Sequence, residues 1–200
     1  MTHSHAYVWP RSTSGPVTTA IQTTAPGGAL SARRATVADA PAVHALIMAN
    51  LAEGHLLPRT LGNIIALAER FSVVEHEGVL LGCGELAPLS SAVAEVRSLA
   101  VHADARGLGL GRILIDDLRR RARGGRFRTL CAFTHGPQFF VRLGFSIVPH
   151  AWLPEKVAND CWSCSKFPRC GQYAMVTPIC GPVNSTHVTV GAEPAPPRSS

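Results

Sequence analysis

Along residues 36–51 apolar side chains recur every three or four positions. Val43, Leu46, Ile47 and Leu51 share one face, and Thr36 opens a T-x-x-D capping pattern, so the spacing predicts a helix over roughly 39–51. Thr60 can cap a second helix with Leu61, Ile64, Ile65 and Ala68 on one side. The period then changes. Phe71 to Glu75 and Val79 to Leu86 flank the turn signal His76-Glu77-Gly78 and read as a hairpin. Ala92 to Val101 is a further strand, and glycine-rich sequence leads from it into a helix from about Gly109 to Arg123. A strand over Arg128 to Phe133 follows, then a short helix over Pro137 to Leu143, where proline suits the first turn. Strands over Phe145 to Val148 and Tyr173 to Thr177 complete the order ααβββαβαββ. That order predicts an α/β domain with a mixed sheet, not the repeating βαβ of a doubly wound fold.

The ends lack such patterning. Residues 1–31 are rich in Thr, Ser, Gly, Ala and Pro without an acidic residue, and 181–200 are Pro-, Ser- and Thr-rich, so both are expected to be disordered. The folded domain is expected over 32–180. No run approaches the ~20 apolar residues of a membrane span, and the start has no apolar run of a secretory signal, so no membrane partner is expected. The formal net charge is +6, supplied almost wholly by Arg, with six Arg between Arg119 and Arg128. Such a run suits a solvated helix end or a phosphorylated ligand. Only Phe127 interleaves it, so a nucleic-acid platform is not expected.

The most informative segment is Arg106-Gly107-Leu108-Gly109-Leu110-Gly111-Arg112, between a strand and a helix. A helix start presents unpaired N–H groups and the positive end of its dipole, which suits a phosphate. Glycines let the backbone approach that anion. The phosphate loop G-x-x-x-x-G-K-[ST] is absent, and the dinucleotide spacing G-x-G-x-x-G does not match; the run fits R-x-x-G-x-G.

Glu95-Val96-Arg97-Ser98-Leu99-Ala100-Val101-His102 followed by that loop resembles motif A of the GNAT acyltransferases. Phe139-Phe140-Val141-Arg142-Leu143-Gly144-Phe145 resembles the same family's later helix-to-strand motif. The resemblance implies a mixed, mostly antiparallel sheet with a splayed central strand pair and helices on both faces. It also implies acetyl-CoA as acyl donor, held by Leu99, Ala100 and Val101 along the strand and by Arg106, Gly107, Leu108, Gly109, Leu110, Gly111 and Arg112 at the loop. Leu51 to Arg59, Val79 to Leu86, and Leu153 to Val157 with Asp160, Cys161, Cys164, Lys166 to Pro168 and Cys170 resemble short, stand-alone amino-acid N-acetyltransferases similar to N-acetylglutamate synthase. The likeness covers about residues 32–177. It implies acetyl transfer to an amino acid, glutamate first, in the cytoplasm and in arginine biosynthesis, with a homodimer allowed. The alternatives are another small amine, a protein N-terminus, or a non-catalytic acyl-CoA sensor.

An acidic acceptor needs cations for its carboxylates, and arginine offers a bidentate fork. Arg59 and Arg97 are the candidates. If Leu99 and Val101 face the core, alternation puts Arg97 on their face, where it needs a ligand or an ion pair with Glu95 or Glu85. Glu95 or Glu85 could take the ammonium proton through water, and a surface glutamate is the plain alternative for each. A backbone N–H near Leu99 or Ala100 could support the oxyanion. Many family members place a tyrosine acid where Phe140 stands here, so His135 is the titratable substitute, with a surface turn as its plain alternative. Cys161, Cys164 and Cys170 form C-x2-C-x5-C, which leaves zinc, redox pairing or packing open; no metal is assigned.

Overall fold

In the computed structural model, which describes residues 30–51, 56–164 and 169–179, the alternating runs pair into one seven-stranded sheet. The strands are β1 (Ala32–Arg34), β2 (Phe71–His76), β3 (Val79–Pro88), β4 (Val93–Val101), β5 (Thr129–Thr134), β6 (Ser146–Val148) and β7 (Tyr173–Pro178). Their order is β1-β2-β3-β4-β5-β7-β6, and every neighbouring pair is antiparallel except β4 and β5. The helices are α1 (Ala40–Asn50), α2 (Leu61–Ala66), α3 (Leu110–Gly124), α4 (Pro137–Arg142) and the single turn α5 (Pro154–Lys156), which runs into a π turn over Val157–Cys161.

The capping pattern before α1 works through its acid. Asp39 accepts from the Thr36 amide at 2.7 Å and the Thr36 hydroxyl at 3.0 Å. Arg33 of β1 grips both oxygens of Asp39 at 2.8 Å, tying the edge strand to the helix start and holding the carboxyl well below its usual range. Three-residue β1 was not foreseen, because so short a strand shows no alternation. The ordered fold also begins before residue 32: Leu30 packs beside Val74 and Leu110. The expected disorder of the ends otherwise concerns residues outside the described ones.

Side-chain direction divides the core into layers. Val43 and Ile47 of α1 and Ile64 of α2 pack on Phe71, Val73 and Cys83 on one side of the sheet. On the other side, Ile115, Leu118 and Ala122 of α3 and Phe140 of α4 pack on Ala94, Val96, Leu130 and Ala132. A buried polar link crosses that second interface: Asp117 accepts from Ser72 Oγ at 2.5 Å, and Arg121 donates to the same hydroxyl at 2.7 Å.

The centre of the sheet is irregular in two ways. Between the pairs Cys83↔Ala100 and Glu85↔Arg97, β4 spends one residue more than β3. This bulge holds Ser98 at φ 48°, a left-handed conformation uncommon for a non-glycine residue. Second, β4 and β5 pair only over Val93–Val96 and Thr129–Ala132, so beyond Val96 the two parallel strands part. The expected splayed pair is therefore present.

Gly84 sits under the bulge, where a Cβ would meet Leu99 Cδ1 at 3.1 Å and Leu118 Cδ1 at 3.2 Å. Gly84→Val is expected to cost about 1–3 kcal/mol of stability by overpacking this contact. Urea denaturation checks it; an unchanged midpoint would show that α3 does not press on β3 here.

Candidate active site

Where β4 leaves β5, a cavity of about 620 Å³ opens. Its floor is formed by Glu85 of β3 and Glu95, Arg97 and Ser98 of β4. Arg59, Asn63, Phe133, Phe139, Phe140, Lys156 and Asp160 also line it, the last two bonded to the Glu95–Arg97 pair. The parting of the strands leaves the β5-side edge of β4 without a strand partner after Val96. Backbone polar groups on such an edge need another partner, and an extended ligand can supply it.

The strand leads to the glycine loop. Gly107 and Gly109 have φ of 82° and 80°, and a Cβ at either would meet nothing within 4 Å. Both conditions favour glycine beside an approaching ligand. Gly109 caps α3, and its carbonyl accepts from the Arg112 amide at 3.0 Å and the Ile113 amide at 3.2 Å. The Arg112 amide is thus already used. The helix-start amides that precede it have no intrahelical partner. The Arg106 side chain donates to Asn50 Oδ1 at 2.7 Å, bracing the loop against the end of α1. Gly111 has a packing reason: a Cβ there would stand 3.0 Å from the Phe139 ring.

The cavity floor is a charge network. Glu95 accepts from Arg97 Nε at 2.6 Å and from Lys156 Nζ at 2.7 Å. Asp160 bonds the far end of Arg97 and lies 2.9 Å from Lys156 Nζ. Glu85 accepts from Arg59 at 2.8 Å, and the same nitrogen reaches Ser98 Oγ at 3.3 Å. Burial disfavours the charge of Arg97, but Glu95, Asp160 and Glu85 together outweigh it and raise its pKa above the ordinary value. Arg70, exposed, lines the cavity too, with no ion pair among the described residues. Among the described residues, four cations (Arg59, Arg70, Arg97, Lys156) therefore face three carboxylates (Glu85, Glu95, Asp160).

A family model described as an acetyltransferase (GNAT) domain matches residues 68–147. An uncharacterized N-acetyltransferase of Chlorobaculum tepidum is 32% identical over 144 residues, 72% of this chain and 93% of that protein. An amino-acid acetyltransferase of Mycobacterium tuberculosis is 33% identical, over 64% of this chain and 75% of that protein. The chain belongs to the GNAT acetyltransferase family. Among solved structures, N-acetylglutamate synthase from Neisseria gonorrhoeae, complexed with coenzyme A and N-acetyl-glutamate, superposes with a TM-score of 0.69 at 28% identity. The match takes in 76% of this chain but 36% of that synthase. A Mycobacterium tuberculosis protein in complex with CoA and a second ligand gives a TM-score of 0.65 at 26% identity, over 74% of this chain and 98% of that one.

In this GNAT domain the expected residues distribute unevenly. Glu85, Glu95, Arg59 and Arg97 meet in the cavity, and both glutamates are buried, so neither is a surface residue. Arg97 does not share a face with Leu99 and Val101, as alternation had it. The bulge at Ser98 inverts the parity, so Leu99 and Val101 pack toward α3 while Arg97 turns to the cavity. His135 is exposed in the turn before α4 and is not among the residues lining the cavity. Phe140 is buried edge-on against Phe139 and Phe145, and a phenyl ring donates no proton. Lys156, Asp160 and Arg70 escaped prediction as site residues, for they come from turns without periodicity. For the first two, the only signal was the likeness of the 153–170 segment to short acetyltransferases.

No group of three or more His, Cys, Asp or Glu is arranged for a metal among the described residues. Cys161 and Cys170 are part-exposed, Cys164 is exposed, and all three are free thiols. Burial pushes the Cys83 and Cys131 thiols up to about 12. In the native protein at pH 8, iodoacetamide is expected to label Cys164 and spare Cys83 and Cys131, since only a reachable thiolate reacts. Peptide mass spectrometry checks this; prompt labelling of Cys131 would contradict the packing of β5.

Proposed function

We propose that the protein transfers the acetyl group of acetyl-CoA to the amino group of an acidic amino acid, glutamate first, forming N-acetylglutamate as a step toward arginine. The observation that carries this reading is the net positive lining beside the open edge of β4: among the described residues, four cations and three carboxylates suit an acceptor of net charge −1. The likeness to an N-acetylglutamate synthase and to amino-acid acetyltransferases supports it.

In this reading the CoA pyrophosphate takes the amides of Leu108 to Gly111 and the dipole of the four-turn helix α3. The pantetheine arm completes the edge of β4 along Leu99 to Val101, which brings the thioester to the bulge. A backbone N–H there supports the developing oxyanion. The acceptor enters as an ammonium. Glu85 or Glu95 takes its proton through water, and the neutral nitrogen attacks the thioester carbon. The tetrahedral adduct's nitrogen releases its second proton to solvent, the carbon–sulfur bond breaks, the thiolate takes a proton from solvent in place of a tyrosine, and an amide and free CoA leave. Arg97 takes one of the acceptor's carboxylates and Arg70 the other, with Arg59 fixed on Glu85 beside them.

Two experiments test this. Losing one charged contact to a carboxylate costs on the order of 2–4 kcal/mol, about 30- to 1,000-fold in efficiency. Arg97→Leu is therefore expected to raise the glutamate KM sharply while acetyl-CoA affinity holds; a folded Arg97→Leu variant with unchanged glutamate kinetics would make Arg97 structural only. Gly109→Asn keeps the left-handed cap that Asn tolerates but adds a side chain that can accept from the first-turn amides itself. CoA affinity is expected to fall about tenfold, roughly 1.4 kcal/mol, with little change in melting temperature. Unchanged CoA affinity by calorimetry would remove the phosphates from this loop.

A further inference from the structure

We infer that Asp160 is a built-in competitor for the acceptor's carboxylate and thereby sets acidic-acceptor affinity. The inference rests on the acidic-acceptor reading above. A dicarboxylic acceptor brings two carboxylates into a cavity whose floor cations are already held. Arg59 belongs to Glu85, while Arg97 and Lys156 belong to Glu95 and Asp160. Arg70 at the cavity wall can meet one carboxylate. The hydrogen bonds of Arg97 use Nε and Nη2, and those of Arg59 use Nε and Nη1, so the other carboxylate can grip either guanidinium bidentately only by displacing a resident one.

Three residents could leave, and burial decides among them. The side chains of Glu85 and Glu95 are 2% and 3% exposed and stand on central strands. Stripping either of its cation would strand a charge away from water, which is strongly unfavourable. The Asp160 side chain is 36% exposed and sits on the π turn after α5, outside the sheet. Water can take over its solvation as soon as it lets go. Its partners are the substrate's partners too, because Arg97, Lys156 and Asp160 all line the cavity. Lys156, one turn earlier at i−4, is held independently by Glu95 at 2.7 Å and 3.0 Å, so releasing Asp160 leaves it anchored. An incoming carboxylate therefore exchanges for Asp160 at Arg97, and the Val157–Cys161 turn loosens as it enters. Acceptors with a single carboxylate can use Arg70 and leave the exchange unmade.

The test compares glutamate with glutamine as acceptors for wild type, Asp160→Asn and Asp160→Glu. A part-exposed ion pair is worth little, so removing the competitor is expected to lower the glutamate KM by only about three- to fivefold. The glutamine KM should move by less than about twofold, and Asp160→Glu should restore the wild-type value. In wild type saturated with CoA, adding glutarate should speed hydrogen exchange of the Val157–Cys161 amides, a readout that needs no variant. A folded Asp160→Asn protein with an unchanged or raised glutamate KM would overturn the proposal, as would slowed or unchanged exchange on glutarate binding. Those results would leave the acidic-acceptor reading standing. If wild type neither acetylates glutamate nor binds glutarate, that reading fails and this inference falls with it.

Discussion

The parting of β4 from β5 after Val96 is the constraint on which the rest of the structure depends. Parallel strands that stayed paired would close the sheet and leave no cavity. Here Val93 to Val96 hold the register with β5, and the extra residue at Ser98 then turns the remainder of β4 toward β3 alone. The cost is a non-glycine residue at positive φ and a stretch of backbone without a neighbouring strand. Strain of that kind persists where the surroundings over-determine it. Gly84 below, Leu118 from α3 and the hydrogen bond from Arg59 to Ser98 Oγ supply those surroundings.

The bulge also decides which side chains meet. By reversing parity it turns Leu99 and Val101 into the α3 layer, while Arg97 joins Glu95 and Glu85 over the cavity. The resulting charges are nearly all internally paired, which is what burial requires. Pairing fixes Arg97 at both Nε and Nη2 before any ligand arrives, so little ordering remains to be done on binding. The same pairing means that selectivity for an acidic acceptor depends on how readily a resident carboxylate yields.

The fold was largely legible in the chain because its periods are clean. The heptad-like spacing of Val43, Leu46 and Ile47, the hairpin around Glu77-Gly78 and the glycine run before Leu110 each matched an observed element. Three-residue β1 and the turns over 150–161 were not legible, since neither length nor period marks them. At the site, Glu95 and Arg97, which line the cavity, could be named from the chain. The face of Arg97 could not, because strict alternation cannot register a bulge that only cross-strand pairing reveals. Lys156, Asp160 and Arg70 reach the cavity through tertiary packing from separate turns, which no local pattern reports. His135 shows the converse: proximity in sequence to the site residues did not bring it to the cavity.

Acceptor selectivity follows from thiol release from acetyl-CoA across the amino acids and common polyamines, with product masses determined. The highest kcat/KM is expected for glutamate, with N-acetylglutamate as product, because a cavity lined by Arg59, Arg70, Arg97 and Lys156 favours an acceptor carrying excess negative charge. Preference for an uncharged or cationic amine would contradict it and reassign those cations to holding the fold.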